Sequence, residues 1–195
     1  MHSRELGLVL TQQILGVEDL HYGLWEPDLE LKLGNLDAAQ QRYTDFLISA
    51  LPPTQPGPVR IIDIGCGTGH ILGQLLQRGY QADGLVPSAS LAKLVRKHQE
   101  EHPGKQSHLF ECRFEDFPVD DNAHKYDVAL FSESFQYISM DASFELLPKI
   151  LKPGGRLVIC DFFKTEHHGD GGPGDDDEGD AVHGSLLSTK SSPKP

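Results

Sequence analysis

The chain has 195 residues, enough for one compact domain with a sizeable core and too few for two of ordinary size. A formal charge of -12 excludes the phosphate-gripping surface of a nucleic-acid binder, which needs a surplus of Lys and Arg on some face. Residues 164–195 hold three basic and seven acidic side chains, so the rest, with 14 basic against 22 acidic, is still near -8.

The N-terminus opens Met-His-Ser-Arg-Glu, and its apolar residues are spaced rather than continuous. That pattern gives neither a signal-peptide core nor a membrane-spanning helix, and the expectation is a soluble cytoplasmic protein with no membrane partner. Leu6, Val9, Leu10 and Ile14 recur at three and four residues and predict a short cap helix over residues 5–14. A second helix is predicted over residues 37–51, with Ala39, Tyr43, Phe46, Leu47, Ala50 and Leu51 in phase and Asp37 as its N-cap. The run Pro52-Pro53-Thr54-Gln55-Pro56-Gly57-Pro58 stops it, because proline has neither the donor nor the geometry to continue a helix.

Beyond that break strands and helices alternate. Residues 59–64 form an apolar, β-branched run that feeds Asp63-Ile64-Gly65-Cys66-Gly67-Thr68-Gly69, and Ile71, Leu72, Leu75 and Leu76 then share a helix face closed by Gly79. Residues 80–86 read as a second strand, with Leu91, Leu94 and Val95 marking the helix after it. Residues 108–112 read as a third strand and 126–131 as a fourth, apolar enough to be buried on both faces. Phe144, Leu147, Ile150 and Leu151 give a helix ended by Lys152-Pro153-Gly154-Gly155, and residues 156–162 a fifth strand. Such alternation predicts an α/β fold: a three-layer, Rossmann-like, doubly wound and mostly parallel sheet with N-terminal cap helices.

The organisation is then cap helices and linker over 1–58, a ligand-binding core over 59–163, and an acidic, glycine-rich tail over 164–195 that has too little to bury and is expected to be disordered. His167 and His168 in that tail lack spaced further ligands and predict no metal site. Cys66, Cys112 and Cys160 show no metal or redox spacing, as expected of a reduced interior.

In an open parallel sheet the ligand sits where the strands end, closest to the first strand-to-helix loop. Gly65, Gly67 and Gly69 suit that loop, since glycine reaches positive φ freely and keeps no side chain between backbone and ligand. A dinucleotide site wants GxGxxG, whereas here the third glycine follows after one residue and His70 comes next, which weakens a nicotinamide-binding reading.

Through this loop, Tyr126-Asp127-Val128-Ala129-Leu130-Phe131 and Leu151-Lys152-Pro153-Gly154-Gly155-Arg156-Leu157, residues 59–163 resemble the class I, S-adenosylmethionine (SAM) dependent methyltransferases. The likeness is strongest to the small-molecule branch with quinone-biosynthesis, tocopherol and sarcosine enzymes. His21-Tyr22-Gly23-Leu24-Trp25 resembles the N-terminal segment that folds over the cofactor in several of them. The resemblance implies SAM as cofactor and a small-molecule methyl acceptor. Gly65, Cys66, Gly67 and Gly69 then lie along the cofactor, Asp63 steadies the loop or the ligand's ammonium, Phe114 and Glu115 flank the adenine, and Ser132 lines the transfer site. His21, Tyr22 or Glu133 would serve as the base.

Two departures from the family pattern stand out. Val86 occupies the register where a ribose-binding acid is expected, Asp83 lies three residues too early, Ser88 supplies only a weaker substitute, and nothing after Phe163 is expected to supply the final strands. A protein partner or a second copy would then cover the incomplete sheet edge. A degenerate, truncated SAM-fold module without catalysis is the rival these departures favour.

Overall fold

A computed structural model of the chain describes Asp19, residues 21–163 and the backbone of residues 185–190. The described α-helices are α1 (Leu36–Ser49), α2 (His70–Gln77), α3 (Ala89–Glu100) and α4 (Met140–Ile150). The strands are β1 (Arg60–Ile64), β2 (Gln81–Leu85), β3 (Leu109–Phe110), β4 (Tyr126–Ser132), β5 (Leu151–Asp161) and β6 (Ser185–Lys190). They form one sheet in the order β3-β2-β1-β4-β5-β6, parallel throughout except for β6, which runs antiparallel to β5. Chain order reverses between β1 and β4, so the crevice beyond their C-terminal ends is the natural ligand position in such a sheet.

Alternation along the strands gives the sheet two apolar faces. Ile61, Ala82, Val128, Leu130 and Val158 pack under α1, α2 and α3 against Tyr43, Leu47, Leu72, Leu75 and Val95. Ile62, Ile64, Leu85, Ala129, Phe131 and Ile159 turn the other way, toward Leu147 and Ile150 of α4 and toward Phe114 and Phe117. Covering both faces is what lets parallel strands be apolar without alternation to polar residues, and it makes the three layers foreseen from the sequence.

The details correct several sequence expectations. Asn35, not Asp37, is the N-cap of α1; Asp37 sits in the first turn, where a carboxylate complements the positive end of the helix dipole. Phe46 and Phe144, placed in phase with core residues, are 41% and 60% exposed, because the buried stripes of α1 and α4 are narrower than the apolar ones. The Lys152-Pro153-Gly154-Gly155 stretch lies inside β5, where Leu151 already pairs with Tyr126 and a register shift, with Gly154 at φ +80, absorbs the kink.

The tail expectation also needs correcting. Residues 185–190 pair along β5 from Asp161↔Ser185 to Arg156↔Lys190, so the sheet has six strands rather than five. The edge of β5 is covered from within the chain and needs no second copy for that purpose. The predicted helix over 5–14, the His167-His168 pair and the acidic run lie outside the described residues.

Candidate functional site

The loop after β1 takes positive φ at Gly65 (+80), Gly67 (+55) and Gly69 (+87) before α2 begins at His70. The amides of Gly65 and Cys66 both donate to the Leu85 carbonyl, at 2.9 and 3.0 Å, which pins the loop to the end of β2. Two of the three glycines are required by the protein's own packing. A Cβ on Gly65 would lie 2.5 Å from that of Ser134, and one on Gly69 would lie 2.9 Å from the Val95 Cα. Ser134 in turn donates from Oγ to the Ile64 carbonyl at 2.5 Å, so β4's exit loop is clamped onto the glycine loop. Cys66 is buried, and burial followed by the nearby Asp63 charge pushes its thiol well above its ordinary range, the opposite of what a thiolate nucleophile needs.

Beneath this loop, at the end of β1, Asp63 is 1% exposed and neither of its carboxylate oxygens has a hydrogen-bond partner among the described residues. Burial, reinforced by Asp19, pushes its carboxyl up to about 7. An orphaned buried acceptor of this kind calls for an explanation outside the fold itself, and a cationic ligand supplies one.

Asp19 arrives with the segment 19–25, which lies across α1. Gln40 Nε2 donates to the carbonyls of His21 (2.7 Å) and Asp19 (3.2 Å), and the Leu24 amide donates to the Ala39 carbonyl (2.8 Å). Gly23, at φ +83, lets the two backbones meet: a Cβ there would stand 2.8 Å from Ala39. His21 is 7% exposed and stacks on Tyr43 with ring centroids 4.1 Å apart. Its Nε2 lies 3.3 Å from both Asp19 Oδ2 and Thr44 Oγ1, and its Nδ1 is buried without a partner among the described residues. Asp19 Oδ2 also reaches His70 Nε2 at 3.6 Å, joining the cap segment to the first residue of α2.

The third wall comes from the ends of β4 and β5. Ser132 Oγ shares a hydrogen bond with Tyr43 Oη at 3.0 Å. Glu133 stands in the left-handed region at φ +49, its amide donating to the Cys160 carbonyl at 2.7 Å. Burial raises its carboxyl to about 7; the Tyr22 amide, donating to Oε1 at 3.3 Å, works against this, while the charges of Asp161 and Asp19 add to it. Asp161 is 3% exposed and accepts from the Gln136 amide (3.0 Å), Gln136 Nε2 (3.1 Å) and the Phe162 amide (2.8 Å), fixing the turn after β4. Tyr22 is 67% exposed with its ring edge-on to Phe162, and with Tyr137, Met140, Phe144 and Phe163 it gives this end of the sheet exposed apolar side chains.

Asp63, the glycine loop, His21, Tyr22, Ser132 and Glu133 thus meet at the C-terminal ends of β1 and β4, though Tyr22 reaches Glu133 through its backbone rather than its ring. Other expected site residues are engaged in the fold's own packing and hydrogen bonds. Val86 is 3% exposed in the core on the α2–α3 face, its amide donating to the Phe110 carbonyl. Asp83 is held by the Arg60 guanidinium (2.9 Å), the His108 amide (2.9 Å) and Tyr126 Oη (2.9 Å), which removes it as a ribose ligand. Ser88 caps α3 by accepting from the Leu91 amide. Phe114, expected beside an adenine, is 1% exposed and packs edge-on to Phe131, while Glu115 accepts from the Ser139 amide. Asp19 and Asp161 were missed in the sequence. Asp19 had one signal, its place two residues before His21; Asp161 had none beyond ending the fifth strand.

Residues 62–159 match the family described as methyltransferase domain. The human mitochondrial ubiquinone biosynthesis O-methyltransferase is 29% identical over 129 residues, which are 63% of this chain and 35% of that protein. Trans-aconitate 2-methyltransferase of Deinococcus radiodurans is 28% identical over 138 residues, 69% of this chain and 48% of its own. The chain therefore spans less than half the length of either relative. Among solved structures, the [4+2]-cyclase SpnF superposes with a TM-score of 0.70 at 24% identity, covering 84% of this chain and 60% of that one. A geranyl diphosphate C-methyltransferase of Streptomyces coelicolor A3(2), bound to Mg2+, geranyl diphosphate and S-adenosyl-L-homocysteine, gives 0.65 at 22% identity, covering 77% and 59%.

Proposed function

The chain belongs to the methyltransferase domain family, in the class I SAM-dependent group, and from that premise we propose that it binds SAM against the glycine loop and transfers the methyl group to a small-molecule acceptor. The observation that carries this reading is the Asp63 carboxylate, buried at the switch point of the sheet without a hydrogen-bond partner among the described residues. The residues around it fit the cofactor: a buried acid for the ligand's positive charge and a glycine loop for close backbone approach.

SAM supplies a sulfonium whose methyl group is already activated for displacement. The chain's share is to hold the reactants in line, exclude water and remove the acceptor's proton. Glu133 suits the last task. It is held in a strained backbone conformation by β4 and β5, and a carboxyl at about 7 is a base matched to neutral pH. An acceptor with an apolar body and a titratable hydroxyl suits the exposed aromatic side chains of Tyr22, Tyr137 and Phe163. A reducing cytoplasmic setting belongs to the same reading, supported by three unpaired cysteines.

Calorimetric titration with SAM, S-adenosylhomocysteine and NAD in parallel tests the cofactor without knowledge of the acceptor. SAM and its demethylated product should bind and NAD should not. Gly67→Val, which puts a branched side chain into a loop position at φ +55, should abolish binding while unfolding stays cooperative. Absence of SAM binding by the parent protein, or undiminished binding by the folded variant, would overturn the proposal.

A further inference from the structure

The cap segment is fastened on two sides. Toward α1, Gln40 holds the His21 carbonyl and the Ala39 carbonyl holds the Leu24 amide. Toward the sheet, the Tyr22 amide donates to Glu133 Oε1 at 3.3 Å, joining residues 111 positions apart, and the Tyr22 ring meets Phe162 edge-on with centroids 5.4 Å apart. The acceptor end of that bond is rigid. Glu133 is fixed in the left-handed region by its own amide bond to the Cys160 carbonyl, and Gln136 ties the turn behind it to Asp161. The donor end is looser, since Tyr22 is 67% exposed and its place over the end of the sheet depends on what its amide meets.

The half-buried Glu133 is also the group placed to take the acceptor's proton. An ionised carboxylate accepts a hydrogen bond about twice as strongly as a neutral acid does. As the methyl group passes from sulfur to the acceptor and the C–S electron pair stays on sulfur, the acceptor's proton passes to Glu133, and the Tyr22 amide is left facing a neutral carboxyl. Resting on the SAM reading above, we propose that the Tyr22–Glu133 hydrogen bond is a catch that holds the cap segment over the site while the base is ionised and loosens once the base has taken the acceptor's proton, so that proton uptake opens the way out for the products. The coupling runs both ways. Burial raises the Glu133 carboxyl and the Tyr22 amide draws it back down, so the ionised carboxylate draws Tyr22 in by the same factor. Asp161 of β5 and Asp19 of the cap favour the protonated base. Tyr43 of α1 and Cys160 of β5 also face Glu133, and burial keeps both of them protonated.

The test uses the full chain and two reporters on the cap. Trp25, the single tryptophan, donates from its indole to the Tyr22 carbonyl at 2.9 Å, so its emission follows Tyr22; the Tyr22 amide itself is followed by NMR. In ligand-free parent both signals should titrate together with the Glu133 carboxyl carbon. Glu133→Gln should hold both at the parent's acid values across the range, while Asp19→Asn, which removes the carboxylate met by His21 and His70, should keep both titrations with a slightly lower midpoint. Losing the charge from such a hydrogen bond is worth about fivefold in an equilibrium constant. Stopped-flow release of S-adenosylhomocysteine from the parent should therefore be about fivefold faster below the midpoint than above it, and fast at both pH values in Glu133→Gln. A Tyr22 amide that does not follow the Glu133 carboxyl, or release independent of pH in the parent, would overturn the catch and leave the cofactor reading intact. A parent that binds no S-adenosylhomocysteine would overturn both.

Discussion

Replacing Asp63 by Asn should stabilise the ligand-free protein at neutral and alkaline pH while removing its cofactor affinity. The carboxyl titrates near 7 in the fold, through burial and then Asp19, against an ordinary 3.8. The folded state therefore holds this proton more tightly than the unfolded chain does. Its stabilising effect is complete below about pH 4 and is lost as the pH rises to about 7. At about 1.4 kcal/mol per pH unit the ionised carboxylate costs up to about 4 kcal/mol, an upper bound, since water entry and side-chain relaxation relieve part of it. Asn has the same shape and carries no charge at any pH. Thermal melts of parent and variant without ligand, from pH 4 to pH 8, should nearly coincide at the acid end. They should diverge as pH rises and hold a constant gap of roughly 5 to 15 °C above about pH 7. A gap independent of pH, or a variant less stable than the parent at pH 8, would refute the reasoning.

Glu133 should titrate near 7 when its carboxyl carbon is followed by NMR, and turnover should rise with pH through the same midpoint because the base is active when deprotonated. Glu133→Gln should flatten that profile and lower the rate by about 10²- to 10⁴-fold; a profile unchanged in the variant would exclude the role. Gly65→Ala, which drives a Cβ to 2.5 Å from that of Ser134 at φ +80, should cost roughly 3 kcal/mol in urea unfolding, with part of it recovered by adding Ser134→Gly. A cost below about 1 kcal/mol would mean the loop moves aside more easily than the geometry implies. Val86→Asp places a carboxylate in a site 3% exposed among apolar side chains; it should lower ligand-free stability by at least about 2 kcal/mol, and SAM should narrow the deficit only if the ribose reaches that strand end. Unchanged melting without ligand would show that residue 86 is not in the core.

The βαβ units were legible because their signals are local. An apolar run into a glycine loop, then Ile71, Leu72, Leu75 and Leu76 in helical phase, leave few alternatives at β1 and α2. Helical phase also says which residues share a face, but not how wide the buried stripe is, and Phe46 and Phe144 fell on the wrong side of that limit. β6 was hidden by averaging: Ser-Leu-Leu-Ser-Thr-Lys is a short strand-like run inside a stretch whose composition is otherwise glycine and acid. The site divided in the same way. Asp63, Glu133 and the glycines were visible from motif and strand position. Asp19 and Asp161 owe their roles to contacts with residues far along the chain, as do the packing duties of Gly65 toward Ser134 and of Gly69 toward Val95.

The bonds that close the site join distant parts of the chain: Ser134 to Ile64 across 70 residues, Tyr22 to Glu133 across 111, and Tyr43 to Cys160 across 117. Loop-closure entropy makes such contacts late to form, after the local β1-α2-β2 unit has something to dock against. The glycine loop, clamped by Ser134, is then complete only once β4 has docked. Interactions absent from the transition state act on the unfolding limb, so a bound cofactor would lengthen the lifetime of the native state without hastening its formation, and the chain would reach its shape unaided before the ligand could hold it there.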